Sequence, residues 1–220
     1  MKGKKTIILI LFVFCLFFVE LNQAVSSENN ITNYRKTISV LQKLYRSEVT
    51  ASKTYAAFSR KALDEKYYSV ARLFSALSES ESVHARNFKN ILNDLGVEPK
   101  NFPKLNIKVG DTKKNLNWAL KVELSEIDTN YPKTIKRIKS EGNKRALEDI
   151  TYAWQAEMQH RDLITKMQSA LWLFFGKIVD KLKEAHEYHV CQRCGSTVFE
   201  VTKKPCVICG SPVSMYKQIK

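Results

Sequence analysis

Residues 74–88 read FSALSESESVHARNF, and residues 150–164 read ITYAWQAEMQHRDLI. In both, apolar residues recur at steps of three and four, the spacing of one helix face. In both, a Glu and a His three positions later fall on that same face. Glu81 and His84 continue the stripe Phe74, Leu77, Glu81, His84, Phe88, and Glu157 and His160 continue Leu147, Ile150, Ala153, Glu157, His160, Ile164. Residues three apart on a helix point the same way, so each Glu-x-x-His delivers an oxygen and a nitrogen to one point. A lone Glu-x-x-His is common on exposed helices. Two copies on apolar stripes form a weak internal repeat and are far more specific.

Two further stripes accompany them. Residues of about 32–64 carry Ile38, Leu41, Tyr45, Glu48, Ala51, Tyr55, Phe58 and Ala62 on one face. A third segment, about 114–140, carries Leu116, Leu120 and Glu123, with Glu126 one turn further. Each of four predicted helices thus points at least one carboxylate into an apolar seam. An unpaired carboxylate buried there is very costly. The acids need a shared counter-charge, and metal supplies it. Five carboxylates against two divalent ions leave about −1, a modest charge for a core. Mixed carboxylate and imidazole ligation suits iron or manganese better than a soft metal. Glu79 has the wrong phase and reads as a surface acid.

The helices are predicted at about 32–64, 67–95, 114–140 and 144–168, the last continuing through Leu171–Leu182. Gly96 follows the second as a C-cap, and Glu141-Gly142-Asn143 breaks the third. Residues 97–113 hold two Pro, one Gly and several Lys, and read as a long connection. Four helices with one long link between the second and third match a ferritin-like bundle with one crossover. The composition agrees. The chain has 220 residues, 44% of them hydrophobic and 26% charged, with only 7 Gly and 5 Pro. That excludes wholesale disorder and a disulfide mini-protein, and it favours helix over an all-β fold.

The tail reads as a separate metal module. Cys191-Gln192-Arg193-Cys194-Gly195 and Cys206-Val207-Ile208-Cys209-Gly210 are two Cys-x-x-Cys-Gly knuckles with 11 residues between Cys194 and Cys206. Each knuckle turns two sulfurs toward one ion, and Gly permits the tight backbone. Four thiolates make a tetrahedral site for iron or zinc. Disulfides are the alternative for an exported chain, but they give the knuckle glycines no role. His186 and His189, just before the first knuckle, read as linker residues rather than ligands.

The N-terminus reads as an export signal. Met1 to Lys5 is a short basic region, and Thr6 to Val19 is an unbroken apolar run of 14 residues. Ala24-Val25-Ser26 places small residues at a cleavage site. A spanning helix needs about 20 apolar residues, so residues 1–26 are expected to be a cleaved signal peptide and the protein exported, periplasmic or extracytoplasmic. A segment left uncleaved would instead tether the chain to a membrane. Cys15 lies inside the apolar run as an ordinary signal residue. The formal net charge of +14 comes from scattered residues, and no nucleic-acid recognition motif is present, so no nucleic acid is expected as a partner.

With these motifs in place, residues 32–220 resemble rubrerythrin, a ferritin-like di-iron bundle followed by a small rubredoxin-like domain. The resemblance extends to Tyr188-His189-Val190-Cys191 at the start of the tail and to Cys209-Gly210-Ser211-Pro212 and Ser214-Met215-Tyr216 near its end. After the signal peptide read at 1–26, it implies a di-iron domain at 32–169, a helical linker at 170–187 and a rubredoxin-like domain at 188–220. It implies that Glu48, Glu81, His84, Glu123, Glu126, Glu157 and His160 hold two iron ions. Cys191, Cys194, Cys206 and Cys209 would hold a third iron, or zinc. Glu126 is the acid that separates rubrerythrins from simple ferritins, and in the family one iron exchanges the counterpart of His84 for it as the redox state changes. Tyr55 and Tyr131 match core tyrosines that hydrogen-bond the carboxylates.

The resemblance further implies a peroxidase that reduces hydrogen peroxide to water. Each of two ferrous ions supplies one electron, and the pair is re-reduced through the cysteine iron from an unidentified electron donor. In the family that iron lies far from the bundle of its own chain and serves a second subunit in a head-to-tail homodimer. Two features depart from the family pattern. An exported chain would not draw on a soluble nicotinamide-linked donor, and Leu171-Trp172-Leu173-Phe174-Phe175 makes a long apolar spacer. The alternatives are a ferroxidase or iron-storage bundle, and a non-catalytic metal-binding protein with a structural zinc ribbon.

Overall fold

The apolar stripes build four long helical segments that bury their seams against one another. In the computed structural model, residues 31–100, 105–173 and 187–219 are described. Helix α1 spans Arg35–Asp64, α2 Tyr68–Asp94, α3 Thr112–Ser125, α4 Tyr131–Ile138 and α5 Lys144–Leu173. Strands β1 (Tyr188–Cys191), β2 (Thr197–Val198) and β3 (Tyr216–Ile219) form an antiparallel sheet in the order β2-β1-β3. The chain is mainly α, a ferritin-like four-helix bundle followed by a small rubredoxin-like module.

Side-chain pairings fix the directions of the helices. Ser52 and Ser59 on α1 bond the carbonyls of Ser78 and Ala71 on α2, so these two helices run antiparallel. Tyr55 on α1 meets Glu123 on α3, and Tyr131 on α4 meets Glu48 on α1, so the α3–α4 arm also opposes α1. α2 and α3 are therefore parallel, and the link between them must return along the length of the bundle. That is the physical reason for the long connection. Its start is held by Gln42, whose amide donates to Glu98 O and accepts from Lys100 N. At its end, Asp111 caps α3 by accepting from Lys114 N at 2.8 Å, and Glu65 accepts from both the backbone and the hydroxyl of Thr112.

The third segment differs from the single helix expected over 114–140. Between α3 and α4 lies a π-helical turn, Glu126–Asn130, in which Tyr131 N donates to Glu126 O. The reason is Pro132. Proline has no N–H and its ring crowds the carbonyl four residues earlier, so the chain takes an extra residue just upstream. Trp154 on α5 donates its indole N–H to Ile127 O at 3.0 Å, satisfying a carbonyl within the π turn. After a 3₁₀ turn at Lys139–Glu141, Gly142 at φ +69° reverses the chain. The Glu141 carboxylate then accepts from Lys36 N and Thr37 N at the start of α1, where a negative charge is favoured.

The apolar core is in two parts. Tyr55, Phe58, Phe74, Leu77, Leu116, Ala119 and Ile164 pack at one end, and Leu41, Leu44, Phe88, Ile91, Leu92, Tyr131 and Ile150 at the other. Glu48, Glu81, Glu123 and Glu157 each lie in sequence between residues of the two clusters. Tyr188, Val190 and Ile219 of the small sheet join the first cluster, so the cysteine module shares the bundle's core. Residues 1–26, read as a signal, and most of the expected linker, 174–186, lie outside the described residues. Among the described residues no helix is long and apolar enough to cross a membrane.

Candidate metal centres

Each helical segment delivers its carboxylate to the gap between the two core clusters. Glu48 comes from α1, Glu81 and His84 from α2, Glu123 from α3, and Glu157 and His160 from α5. None of the six is more than 5% exposed. Their ligand atoms form two groups, Glu48, Glu81, His84 with Glu157, and Glu81, Glu123, Glu157 with His160, each drawn together within 4.8 Å. Glu81 and Glu157 belong to both, as carboxylates that can bridge two ions.

The arrangement has a pseudo-twofold regularity that follows from the repeated Glu-x-x-His. His84 Nδ1 lies 2.9 Å from Glu81, 3.4 Å from Glu157 and 3.9 Å from Glu48. His160 Nδ1 lies 2.9 Å from Glu157, 3.3 Å from Glu81 and 4.0 Å from Glu123. Tyr131 donates its hydroxyl to Glu48 at 2.7 Å, and Tyr55 donates to Glu123. Each terminal carboxylate is thus held by a tyrosine from another segment, which orients it.

Glu126 stands apart from both groups. Its carboxylate accepts from Asn130 at 3.0 Å within the π turn, and it is only partly buried. The sequence placed it on the same face as Glu123; the extra residue of the π turn begins at Glu126 itself. Pro132, six residues downstream, is the signal that marks this turn.

The electrostatics are those of a site built for cations. Burial pushes the Glu48 carboxyl up to about 8, with Glu81 and Glu157 adding to the rise against His84. Burial, then the Glu157 charge, holds Glu123 well above the usual carboxylate range. Burial opposes the charge on His160, but Glu81 and Glu157 outweigh it and lift the imidazole to about 9. Burial also opposes ionisation of Glu157, yet His160 and His84 hold its carboxyl well below the usual range. Protons on buried imidazoles and carboxyls therefore balance the charge, and metal ions would displace them.

The four cysteines gather at the other centre. Cys191, Cys194, Cys206 and Cys209 are free thiols. Cys194 and Cys206 Sγ are 3.6 Å apart, and Cys191 and Cys209 Sγ 3.7 Å. A tetrahedron of sulfurs about 2.3 Å from an ion has edges of about 3.8 Å, so the spacing fits a metal and not a disulfide. His189 sits in β1 and is outside the ligand group.

The sequence profile of the rubrerythrin family matches residues 39–168, more than half of the chain. The chain belongs to the rubrerythrin family. Rubrerythrin-2 of Clostridium acetobutylicum is 27% identical over 179 residues, covering 79% of this chain and 91% of that protein. Nigerythrin of Nitratidesulfovibrio vulgaris is 24% identical over 178 residues, covering 80% and 83%. The solved structure of nigerythrin in a mixed-valence state superposes with a TM-score of 0.68 at 23% identity, over 83% of this chain and 86% of that one, and shows the same fold. This rubrerythrin is a di-iron protein, with two irons in the bundle and one iron or zinc in the four-cysteine site.

The cysteine module does not stand away from its own bundle, as the family resemblance implied. It rests on α2 and α5. Gln192 and Arg193, between the first two cysteines, make several of the polar contacts. Arg193 pairs with the buried Asp149 and lies over the Tyr152 ring, Asn87 donates to Arg193 O at 2.8 Å, and Arg86 donates to Gln192 O. Glu79 accepts from Lys217 at 2.9 Å and from Gln192 at 3.1 Å, so it is a docking residue rather than a plain surface acid. Sequence spacing carried no signal for these pairs, because they join segments more than 40 residues apart.

The pKa directions predict how metal-free protein responds to pH. His160 is raised from 6.5 to about 9, so its contribution is fully present below 6.5 and is lost as pH rises through 9. Glu48 is raised from 4.5 to about 8, so the folded chain holds a proton that the unfolded chain releases, and stability again falls with rising pH. The unfolding midpoint of metal-free protein should therefore drop between pH 6 and 9, and iron should flatten the drop. A midpoint that rises over that range contradicts this account of the site.

Proposed function

We propose that this rubrerythrin is an oxidoreductase that reduces hydrogen peroxide to water at the bundle pair, re-reduced by one-electron transfer through the cysteine site. The observation that carries this reading is the pairing of two equivalent carboxylate–histidine groups that share Glu81 and Glu157 with a four-thiolate site, able to hold iron, docked beside them. Glu48, Glu81, His84, Glu123, Glu157 and His160 would hold the two irons, and Glu126 would join them when the redox state changes. A ferrous pair held by these residues would supply the two electrons that reduction of peroxide requires, with two protons completing two waters.

The protein's own part is positioning and exclusion. The buried walls keep bulk water from the pair. Tyr55 and Tyr131 hold Glu123 and Glu48 by hydroxyl donation, so that both carboxylates face inward. Both imidazoles turn Nδ1 toward the carboxylates, which leaves each Nε2–H as a donor on the far side. A ferroxidase that stores ferric iron has no use for the adjoining four-thiolate site, and that site weighs against the storage reading.

Two substitutions separate the chemistry from electron delivery. Glu81→Ala should lower bundle iron below two ions and abolish peroxide turnover while the cysteine-site spectrum persists. Full retained activity would sink the di-iron assignment. Cys194→Ser should disrupt the tail site, keep the bundle iron, and leave pre-reduced protein able to consume about one peroxide per pair in a single turnover. Its steady-state turnover should collapse; unchanged turnover would make the tail purely structural.

We propose in addition that the chain is exported and cleaved close to Ser26, on the strength of the basic start, the 14-residue apolar run and Ala24-Val25-Ser26. Sequencing the N-terminus of protein from its native host decides this. Soluble cytoplasmic protein still starting at Met1 would refute it.

A further inference from the structure

The sequence scatters its basic residues, but the fold gathers a set of them on one face. Along the first half of α1, Arg35, Lys36, Lys43 and Arg46 are exposed, and no acid lies between Arg35 and Glu48. Along α4 and the 3₁₀ turn after it, Lys133, Lys136, Arg137 and Lys139 are exposed, and no acid lies between Asp128 and Glu141. Lys133, Lys136 and Arg137 share one helix face at steps of three and four, opposite the buried Tyr131 and Ile138.

Two contacts set these helices side by side and antiparallel. Thr37 on α1 donates to the Glu141 carboxylate at 2.8 Å, and Glu48 accepts from Tyr131 at 2.7 Å. Lys43 therefore comes level with Lys136, and Arg46 with Lys133. Lys36 and Lys43 lie on the side of α1 that faces the third segment, where their charges act on Glu141 and Glu126. The basic face runs about 16 Å along α1, the rise of eleven residues.

Its charge is left uncompensated. The Glu141 carboxylate is taken up by Lys36 N and Thr37 N, and Asp94 at the same end pairs with Arg145. Asp128 is exposed, on the π turn at the edge of the face. At the opposite end of the bundle, Lys61, Lys66 and Lys114 are interleaved with Asp64, Glu65 and Asp111, and Lys61 and Lys114 are ion-paired at 3.0 and 2.9 Å. The chain also enters the bundle at the basic end. Ile31, just before α1, is 42% exposed. The 14-residue apolar run ends at Val19, twelve positions earlier, a reach of at most about 40 Å.

We propose that this face of α1 and α4 is a docking surface for an anionic phospholipid bilayer. Headgroup phosphates supply the counter-charge that the protein withholds, and two parallel rows of cations suit a flat sheet of charge. A bilayer fits better than a nucleic acid because the apolar run reaches the bundle at this end. A chain cleaved near Ser26 binds by charge alone, and a chain that keeps the run is oriented by the same face. The surface stands apart from the peroxidase reading.

Metal-loaded protein carrying the N-terminus found in its native host is mixed with phosphatidylcholine vesicles, with or without about 30% phosphatidylglycerol, at about 0.15 M salt. Wild type should sediment with the anionic vesicles and not with the neutral ones. Replacing Lys133, Lys136, Arg137 and Lys139 together by Gln should weaken binding more than about tenfold, in line with what four cations contribute near an anionic leaflet. Replacing Lys108, Lys113, Lys121 and Lys166 by Gln removes the same charge elsewhere and should change binding less than about twofold. Equal losses in the two variants, or equal binding of wild type to neutral vesicles, overturn the proposal. So does binding to dissolved heparin that anionic vesicles fail to displace. A footprint of wild type needs no variant and serves equally if the apolar run is retained. Vesicle-bound protein treated with an amine-acetylating reagent should show Lys43, Lys133, Lys136 and Lys139 shielded and Lys113 and Lys166 modified as in free protein. Uniform shielding, or shielding of Lys113 and Lys166 alone, overturns the proposal.

Discussion

Four glutamate carboxylates cut off from water, with two imidazoles among them, are the arrangement around which the whole bundle is organised. Apolar helices do not tolerate such a cluster unless cations or protons neutralise it. The sequence places one acid on each of four stripes, and the chain directions bring all four to one level. The core is accordingly split into two clusters on either side of the acids. Each half then supplies a tyrosine, Tyr55 from one cluster and Tyr131 from the other, to orient a carboxylate at the boundary. Packing and ligation are thus one solution to one constraint.

The exceptions to helical regularity cluster at the same level. The π turn at Glu126–Asn130 begins one turn after Glu123 and delivers Tyr131 to Glu48. Without the extra residue, Tyr131 would be rotated by about 100° about the helix axis, the angle of one residue at 3.6 per turn, and would leave the seam. The same insertion turns Glu126 toward Asn130 and out of the two ligand groups. An acid held at the rim by one weak neutral partner, on a turn that already departs from the α geometry, is well placed to move by a small backbone adjustment.

Much of this was legible in the sequence because it rests on local periodicity. Steps of three and four place Glu81 with His84 and Glu157 with His160, and the same spacing puts Glu48 and Glu123 on core faces. The knuckle pattern likewise announces a four-thiolate site. What could not be read depends on long-range approach. Ser80 looks like any small polar residue next to a ligand, and Glu79 and Asp149 look like surface acids. Arg193 and Gly195 fit the knuckle pattern equally well in either copy. Their roles arise only because the module lands on α2 and α5, and no periodicity encodes that landing.

The polarity of the imidazoles joins the two modules physically. Each ring has two nitrogens, and the acids claim Nδ1 in both His84 and His160. With a metal ion on Nδ1 the neutral ring is protonated on Nε2, and without metal both rings are raised into the imidazolium form, which carries a hydrogen on each nitrogen, so Nε2 is a donor in either state. The outward side of the centre is therefore a fixed pair of donors, and whatever packs there must offer acceptors. The peptide carbonyls of a tight turn meet that need without adding a charge. Cys194 O accepts directly and Gly195 O accepts through Ser80, whose single hydroxyl both accepts and donates. A carboxylate in the same place would tighten the hydrogen bonds but would add negative charge next to a centre already rich in it. Neutral acceptors on a turn whose glycine lets the backbone approach are the arrangement that satisfies both histidines at the least electrostatic cost.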